Sequence, residues 1–208
     1  MALLAFRATN TTIELEHPKR DTRYRKRKSF RRSNSLEVFK NLESNSPQEL
    51  AAKGRLGDLK AFIERFGLTL KETDENGATL LHHATETNQV QVMQYLIENG
   101  VSLDLADIDG NTALHVAVQN SHIEAMHLLL KFKADDTILN NDIDAPLHIV
   151  MRSSNIDLIA GFLEHPADLA VQGYRRRTPL HVLAECDNEE GFHVFLKAFK
   201  KNKNMRLC

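Results

Sequence analysis

Apolar positions recur every 33 residues along most of this chain. In each unit a short apolar run is followed by a second run with apolar residues at i, i+3 and i+4, such as Met126, Leu129 and Leu130. That spacing puts the apolar side chains on one face of an α-helix. The pattern therefore predicts units of two short helices, over residues 74–106, 107–139, 140–172 and 173–206.

The start of each first helix has its own local signals. A Thr before an apolar run is a typical N-cap residue whose hydroxyl accepts a backbone N–H, and Pro suits the first helical position. The His at the third helical position can reach back to the cap, as the acidic residue of a capping box does. These positions are Thr79, His82, Thr112, His115, Pro146, His148, Thr178 and His181. The sequence therefore predicts structural histidines, and we expect His115→Ala to remove roughly 1 kcal/mol of stability.

The turns between units carry the tetrads "DENG" and "DIDG", in which Gly77 and Gly110 adopt a positive φ at little cost. Ile143 and Arg176 occupy the same column in the later units, so we expect those turns to be built differently. Residues 46–73 keep the two-helix pattern without the Thr or His and predict a degenerate N-terminal capping unit. Because no unit can bury its apolar face alone, the sequence predicts an all-α solenoid of stacked helix-turn-helix units.

Evenly spaced histidines also suggest a metal site, but the repeat argues against one. A metal ion needs three or four ligands around one point, whereas stacked helices hold equivalent residues about 8–10 Å apart. The sequence has no phosphate-binding glycine loop, and Cys186 has no neighbouring base at helical spacing. We therefore expect no catalytic residues, no metal and no cofactor.

Charge divides the chain into two parts. Residues 1–45 carry 11 Lys and Arg against 5 Asp and Glu, although the net charge of all 208 residues is −1. Apolar residues in this segment are few and aperiodic, which predicts a disordered basic arm. Two cysteines in the whole chain favour a reducing, intracellular environment over a disulfide scaffold. No segment approaches the roughly 20 apolar residues that span a bilayer.

The basic arm is compatible with nuclear import, attraction to anionic lipid or weak nucleic-acid binding, and also with a solvated tail that has no partner. Ser29 and Ser35 follow basic residues and are possible phosphorylation sites, where a phosphate would reduce the positive charge. The basic residues that would make these contacts are Lys19, Arg20, Arg25, Lys26, Arg27, Lys28, Arg31 and Arg32.

The stretch "DIDGNTALHVAVQNSHIEAMHLLLKFKAD", residues 107–135, resembles an ankyrin repeat, whose hallmark is "TPLH". That resemblance implies an interaction module, not an enzyme, with a concave face that binds a protein partner and no small-molecule substrate. By register, the groove and its turn tips should contain Asp74, Asn76, Glu86, Asp107, Ile108, Asp109, Gln119, Asn120, Asn141, Arg152, Tyr174, Arg175, Arg176, Arg177 and Glu185.

A finer resemblance concerns "APLHIVMRSSNIDLIAGFLEH", residues 145–165, which is similar to the early cytoplasmic repeats of TRPA-type transient receptor potential channels. It implies a cytoplasmic N-terminal part, or a pore-less short form, of such a channel subunit. The alternative is a free-standing soluble adaptor or inhibitor that the basic arm directs to the nucleus. At the chain's end, Phe199 falls in the loop position of Gly100, so we expect a missing neighbour there and self-association through this end.

Overall fold

The computed structural model describes residues 46–66 and 72–201, and the regular structure of these ranges is helical. It confirms the predicted all-α fold. The basic arm, including Ser29 and Ser35, lies outside the described residues. The ten α-helices of the described ranges are α1 Pro47–Ala52, α2 Leu56–Phe66, α3 Leu80–Glu86, α4 Val90–Glu98, α5 Ala113–Gln119, α6 Ile123–Lys131, α7 Pro146–Arg152, α8 Ile156–Leu163, α9 Pro179–Glu185 and α10 Glu189–Lys201.

The helices form two layers. The first helices of successive units, α1, α3, α5, α7 and α9, each pack on the next, and so do the second helices α4, α6, α8 and α10. The two helices within each unit also contact each other. This stacking of similar units is the architecture of a repeat solenoid, in which each unit contacts only its neighbours.

The core is a set of apolar columns that run through the stack. Leu81, Leu114 and Leu147 are at most 1% exposed, and Met93, Met126 and Ile159 are fully buried. Full burial of one such side chain contributes about 1.5–3 kcal/mol, so the repeated columns supply the main stabilising term. A unit without neighbours would leave these side chains in water.

The turn of the third unit differs from the prediction. Ile143 has φ 62°, close to Gly77 at 72° and Gly110 at 77°, so this turn keeps the same left-handed conformation. The backbone N–H of Ile143 donates to the Asn140 carbonyl at 2.9 Å, as Gly110 does to Asp107 at 3.0 Å. The expectation of a differently built turn was therefore wrong at Ile143, because a common hydrogen bond imposes the conformation whatever the side chain.

The turn of the fourth unit does differ. Residues Tyr174–Arg176 form a single 3-10 turn in which both Arg175 (φ 55°) and Arg176 (φ 59°) are left-handed. The N–H of Arg176 still donates to the Gly173 carbonyl at 3.0 Å. An extra left-handed residue therefore changes the shape of this tip while the closing bond of the turn is kept.

The last helix is longer than its counterparts. α10 continues to Lys201, whereas α4, α6 and α8 end at positions equivalent to 196 or 197. Phe199, predicted in a loop, lies within this helix and stacks on Phe195 with ring centroids 6.0 Å apart. That placement corrects the loop prediction, since the continued helix brings the two rings together at i and i+4.

Candidate ankyrin-type binding surface

Each TPLH-type first helix begins with the same backbone-to-histidine hydrogen bond. In α3 the backbone N–H of Thr79 donates to Nδ1 of His82 at 3.1 Å, and Thr79 Oγ1 lies 2.8 Å from the same nitrogen. The N–H bond recurs at Thr112–His115 (3.1 Å), Ala145–His148 (3.1 Å) and Thr178–His181 (3.2 Å). Ala145 has no hydroxyl, so the imidazole, and not the threonine oxygen, is the feature that all four helix starts share.

The other ring nitrogen connects one unit to the next. Nε2 of three histidines lies 3.0 Å from a backbone carbonyl 29 residues further along, in the pairs His82–Asn111, His115–Asp144 and His148–Arg177. We call these three the bridging histidines. The reach back to the cap was predictable from the sequence but this second bond was not, because only the stacking of units brings the carbonyl to the ring.

The bonds define the protonation state of the bridging histidines. Nδ1 accepts a backbone N–H, so Nε2 must carry the hydrogen and donate it to the carbonyl, which is the neutral ring with one proton. Burial lowers the pKa of all three rings, an effect that outweighs the carbonyl bond that would raise it. These rings are therefore neutral structural connectors near pH 7.

Several predicted tip residues build the turns themselves. Oδ1 of Asp74 accepts the N–H groups of Asn76 (2.8 Å) and Ala78 (2.9 Å), and its Oδ2 lies 2.9 Å from Nε2 of His83. Asp107 accepts equivalent N–H bonds from Asp109 and Asn111. The carboxylates of Asp74 and Asp107 are thus occupied within their own turns.

Neighbouring tips are joined by backbone bonds. The N–H of Ile108 donates to the Asn76 carbonyl at 2.8 Å, and that of Asn141 to the Asp109 carbonyl at 2.9 Å. The Asn141 side chain also donates to the Ile108 carbonyl at 2.9 Å. These bonds hold the turn tips at residues 74–77, 107–110 and 140–143 in one row. The outward side chains of these tips therefore form a continuous surface.

Large apolar side chains are exposed along this row. Ile108 is 67% exposed, Tyr174 53% and Ile143 45%. Tyr174 lies beside Arg175, whose guanidinium carbon is 5.1 Å from the centre of its ring. Exposed apolar side chains on consecutive turns are typical of a contact surface, because an apolar side chain that stays in water adds no stability to its turn.

The predicted groove residues lie at the ends of the first helices. Glu86, Gln119, Arg152 and Glu185 are the last residues of α3, α5, α7 and α9, and Asn120 directly follows α5. All five are exposed. Because these helices stack in register, their last residues form a row along one edge of the first-helix layer.

Two arginines of the predicted surface are held by acidic groups. Arg152 donates to both carboxylate oxygens of Asp144, at 2.9 and 3.2 Å, and this bond raises the pKa of the guanidinium. Arg177 donates to Glu185 at 2.6 Å. The positive charge at the C-terminal end of the row is therefore carried to solvent mainly by the exposed Arg175 and Arg176.

A cleft of about 280 Å³ lies between the ends of α7 and α9. Asp144, Arg152, Tyr174 and the exposed thiol of Cys186 are among its lining residues. Its volume is at the lower limit of the roughly 300–1,000 Å³ of ordinary small-molecule pockets. It adjoins the exposed Arg152 and Glu185 at the ends of these helices.

Within the two described ranges, no three His, Cys, Asp or Glu side chains are grouped so that they could hold a metal ion. No helix there combines the length and apolar character required to cross a bilayer. The basic arm residues predicted to contact lipid or nucleic acid are outside these ranges.

Comparisons with known proteins agree with the helix-pair architecture. The family model for ankyrin repeats, in three copies, matches residues 49–140. A segment of 66 residues is 35% identical to alpha-latroinsectotoxin-Lt1a of Latrodectus tredecimguttatus, which corresponds to 32% of this chain and 5% of the toxin. The chain thus covers only a small part of that relative's length. Ankyrin repeats point to a protein–protein interaction module, and this chain contains ankyrin repeats over residues 49–140.

Proposed function

We propose that the chain binds a protein partner through the row of turn tips and first-helix ends. The observation that carries this proposal is the exposure of Ile108, Ile143 and Tyr174 on three consecutive turns. Binding energy in protein interfaces is concentrated in a few large side chains that become buried on association. These three are the largest apolar groups that the row offers.

Backbone strain supports the same surface. Ile143 adopts φ 62°, a conformation that is uncommon for a β-branched residue and costs roughly 1–3 kcal/mol. Glycine occupies the equivalent positions 77 and 110 at little cost. An exposed isoleucine at such a place gives no gain in packing, so a role in contact with a partner accounts for its presence.

Charge along the row indicates the kind of partner. Glu86, Asp109 and Asp142 are exposed in the first three of these units, whereas Arg175 and Arg176 are exposed in the fourth. A complementary partner has basic residues opposite the first three units, acidic residues opposite the fourth, and apolar side chains between them.

Site-specific photo-crosslinking tests the binding surface. A benzophenone side chain at position 108 should capture a partner, and the same group at exposed Gln91 on α4, in the second-helix layer, should not. Tyr174→Ala should reduce capture from position 108 without unfolding the chain. Equal capture from positions 91 and 108 would contradict binding through the row.

We further propose that the chain is the cytoplasmic N-terminal part, or a pore-less short form, of a TRPA-type channel subunit. The resemblance of residues 145–165 to the early repeats of that family supports this assignment. The partner is then a further part of the channel assembly, and the chain is located at the cytoplasmic side of a membrane.

The second candidate is a soluble adaptor or inhibitor with nuclear localisation, which the basic run at residues 19–32 supports. Reading transcripts beyond the codon for residue 199 distinguishes the two. A transcript that continues into more repeats and membrane helices supports the channel. Nuclear accumulation of the full chain that is lost on deletion of residues 19–32 supports the adaptor.

A further inference from the structure

The described residues leave one packing face uncovered, at the end of the stack formed by α9 and α10. Five packing positions are occupied in the third unit by Leu147, His148, Met151, Ile159 and Leu163. These five residues are all at most 2% exposed. Their equivalents 33 residues later are all more accessible: His181, Ala184, Phe192 and Leu196 are exposed and Leu180 is half-buried. We call these five residues the end face.

His181 shows the same difference at the level of one hydrogen bond. Its Nδ1 accepts the Thr178 N–H at 3.2 Å, as the bridging histidines do. Among residues 46–66 and 72–201, however, no carbonyl lies within hydrogen-bond distance of its Nε2, and the ring is exposed. The end face therefore has the composition of an interior surface but the accessibility of an exterior one.

The described chain does not turn across this face. In the first two TPLH-type units, the left-handed Gly100 (φ 81°) and Lys133 (φ 65°) follow the second helix and redirect the chain towards the next unit. The equivalent position in the last unit is Phe199, inside α10. Because α10 continues past the position where the other units turn, the described chain follows the helix axis and does not cover the end face.

The outer stripe of α10 has opposite charges at its two ends. Glu189, Phe192, Leu196 and Lys200 follow one another at spacings of three or four residues and so lie on one side of the helix. Phe192 is 38% and Leu196 37% exposed. Glu190 at the start and Lys197 and Lys201 at the end add to the same separation of charge.

This stripe is complementary to a reversed copy of itself. When two α10 helices pack antiparallel about a twofold axis between Phe192 and Leu196, Glu189 of each copy faces Lys200 of the other. The apolar pair of one copy then covers that of its partner. Twofold contacts of this kind are the commonest form of protein self-association, since one patch serves both sides.

A further ankyrin-type unit suits the stripe less well. The positions of Glu189 and Lys200 are occupied in the third unit by Ile156 and Ala167, and Ala167 is buried within the stack. An apolar repeat stacked here would offer neither charge an ion partner and would take the Lys200 ammonium at least partly out of water, which is costly. A second copy pairs them instead.

We propose that the end face is a homodimer interface in which the α10 helices of two copies pack antiparallel. The proposal is independent of the row of turn tips, which lies on another side of the stack. It applies to the pore-less short form or the soluble adaptor, because the further repeats of a longer channel subunit would occupy this face. Sedimentation velocity and equilibrium on the full chain should show a monomer–dimer equilibrium. A wild type that stays monomeric at high concentration, or that forms open-ended oligomers, overturns it.

Matched variants locate the interface. Leu196→Lys should raise the dimer dissociation constant about tenfold or more, because it places a charge at the centre of the contact. Ile108→Lys makes an equivalent change at an exposed apolar residue on the turn tips and should leave the dissociation constant unchanged. If Ile108→Lys dissociates the dimer and Leu196→Lys does not, the proposed interface is wrong. Circular dichroism on both variants establishes that each is folded.

Charge reversal tests the antiparallel arrangement with exposed residues that do not contribute to the core. Glu189→Lys alone and Lys200→Glu alone should each weaken the dimer by about threefold to fivefold, the scale of surface ion pairs. The double variant Glu189→Lys, Lys200→Glu should restore wild-type association, since each charge again faces its opposite in the partner. A double variant weaker than both single variants would refute the arrangement.

Discussion

Replacing a bridging histidine by alanine should destabilise the protein far more than the same replacement at His181. His115 is fully buried, and its ring accepts the Thr112 N–H at 3.1 Å and donates to the Asp144 carbonyl at 3.0 Å. His181 makes the first of these bonds but not the second among the described residues. The two positions therefore form a natural pair that differs mainly in the bond between units and in burial.

The magnitude follows from the bonds that are lost. Removal of the helix cap costs about 1 kcal/mol at either position. At His115 the change also removes one of the two donors of the buried Asp144 carbonyl, which keeps the Asn140 N–H at 3.0 Å, and the lost hydrogen bond costs a further 0.5–1.5 kcal/mol or so. We expect a loss of about 1.5–2.5 kcal/mol for His115→Ala and about 1 kcal/mol or less for His181→Ala. The expected loss of stability for His115→Ala is therefore larger than the roughly 1 kcal/mol that the cap alone predicts.

Urea unfolding followed by circular dichroism measures both variants against the wild type. The free energy of unfolding is extrapolated linearly to water, and an unchanged slope indicates that the unfolded state is unaffected. Thr112→Ala serves as a further control, since it removes the hydroxyl but keeps the N–H bond to the ring, as Ala145 does naturally. Equal losses for His115→Ala and His181→Ala would refute the structural importance of the bond between units.

Three further predictions concern pH, strain and the basic arm. Burial lowers the pKa of the bridging histidines, so below pH of about 6.5 the unfolded chain binds more protons than the folded one. The free energy of unfolding should then fall as the pH drops, by up to about 1 kcal/mol per ring between pH 6.5 and 5.5. Urea unfolding at a series of pH values should show that this free energy depends less on pH in His115→Ala than in the wild type. Ile143→Gly should raise the stability by roughly 1 kcal/mol in thermal unfolding because it relieves a left-handed φ of 62°, whereas Ile108→Gly, which relieves no such strain, should give no gain. Binding of the full chain to anionic vesicles, measured by co-sedimentation, should weaken steeply between about 50 and 200 mM salt and disappear on deletion of residues 19–32; binding that persists at high salt would exclude a purely electrostatic contact.

The repeat, the helix starts and the buried columns were predictable from the sequence because each depends on local spacing. The 33-residue period by itself aligns His82 with His115. Helical periodicity then placed side chains such as Met126 and Leu129 on a buried face. Capping likewise involves only residues three positions apart, so its partners are adjacent in the sequence.

Other features were decided by the tertiary structure, because they join residues that only stacking brings together. The carbonyl that accepts the Nε2–H of each bridging histidine lies 29 residues away. A second pair joins Nδ1 of His127 to Nε2 of His165, 38 residues further on, at 2.9 Å. Arg152, predicted as a groove residue, is held by Asp144. No local rule identifies such partners.

Backbone conformation at the later units was also decided by the fold. Ile143 disfavours a left-handed φ by itself, but two hydrogen bonds hold its turn in this shape: the bond that closes the turn, and the bond from the Asn141 N–H to the Asp109 carbonyl of the neighbouring tip. In α10 the position equivalent to Gly100 holds Phe199, and stacking on Phe195 favours a continued helix over a turn. The sequence by itself therefore determined which residues are repeated and buried. The packing of units against one another decided how each unit is joined to the next, because those bonds form only between units that are already stacked.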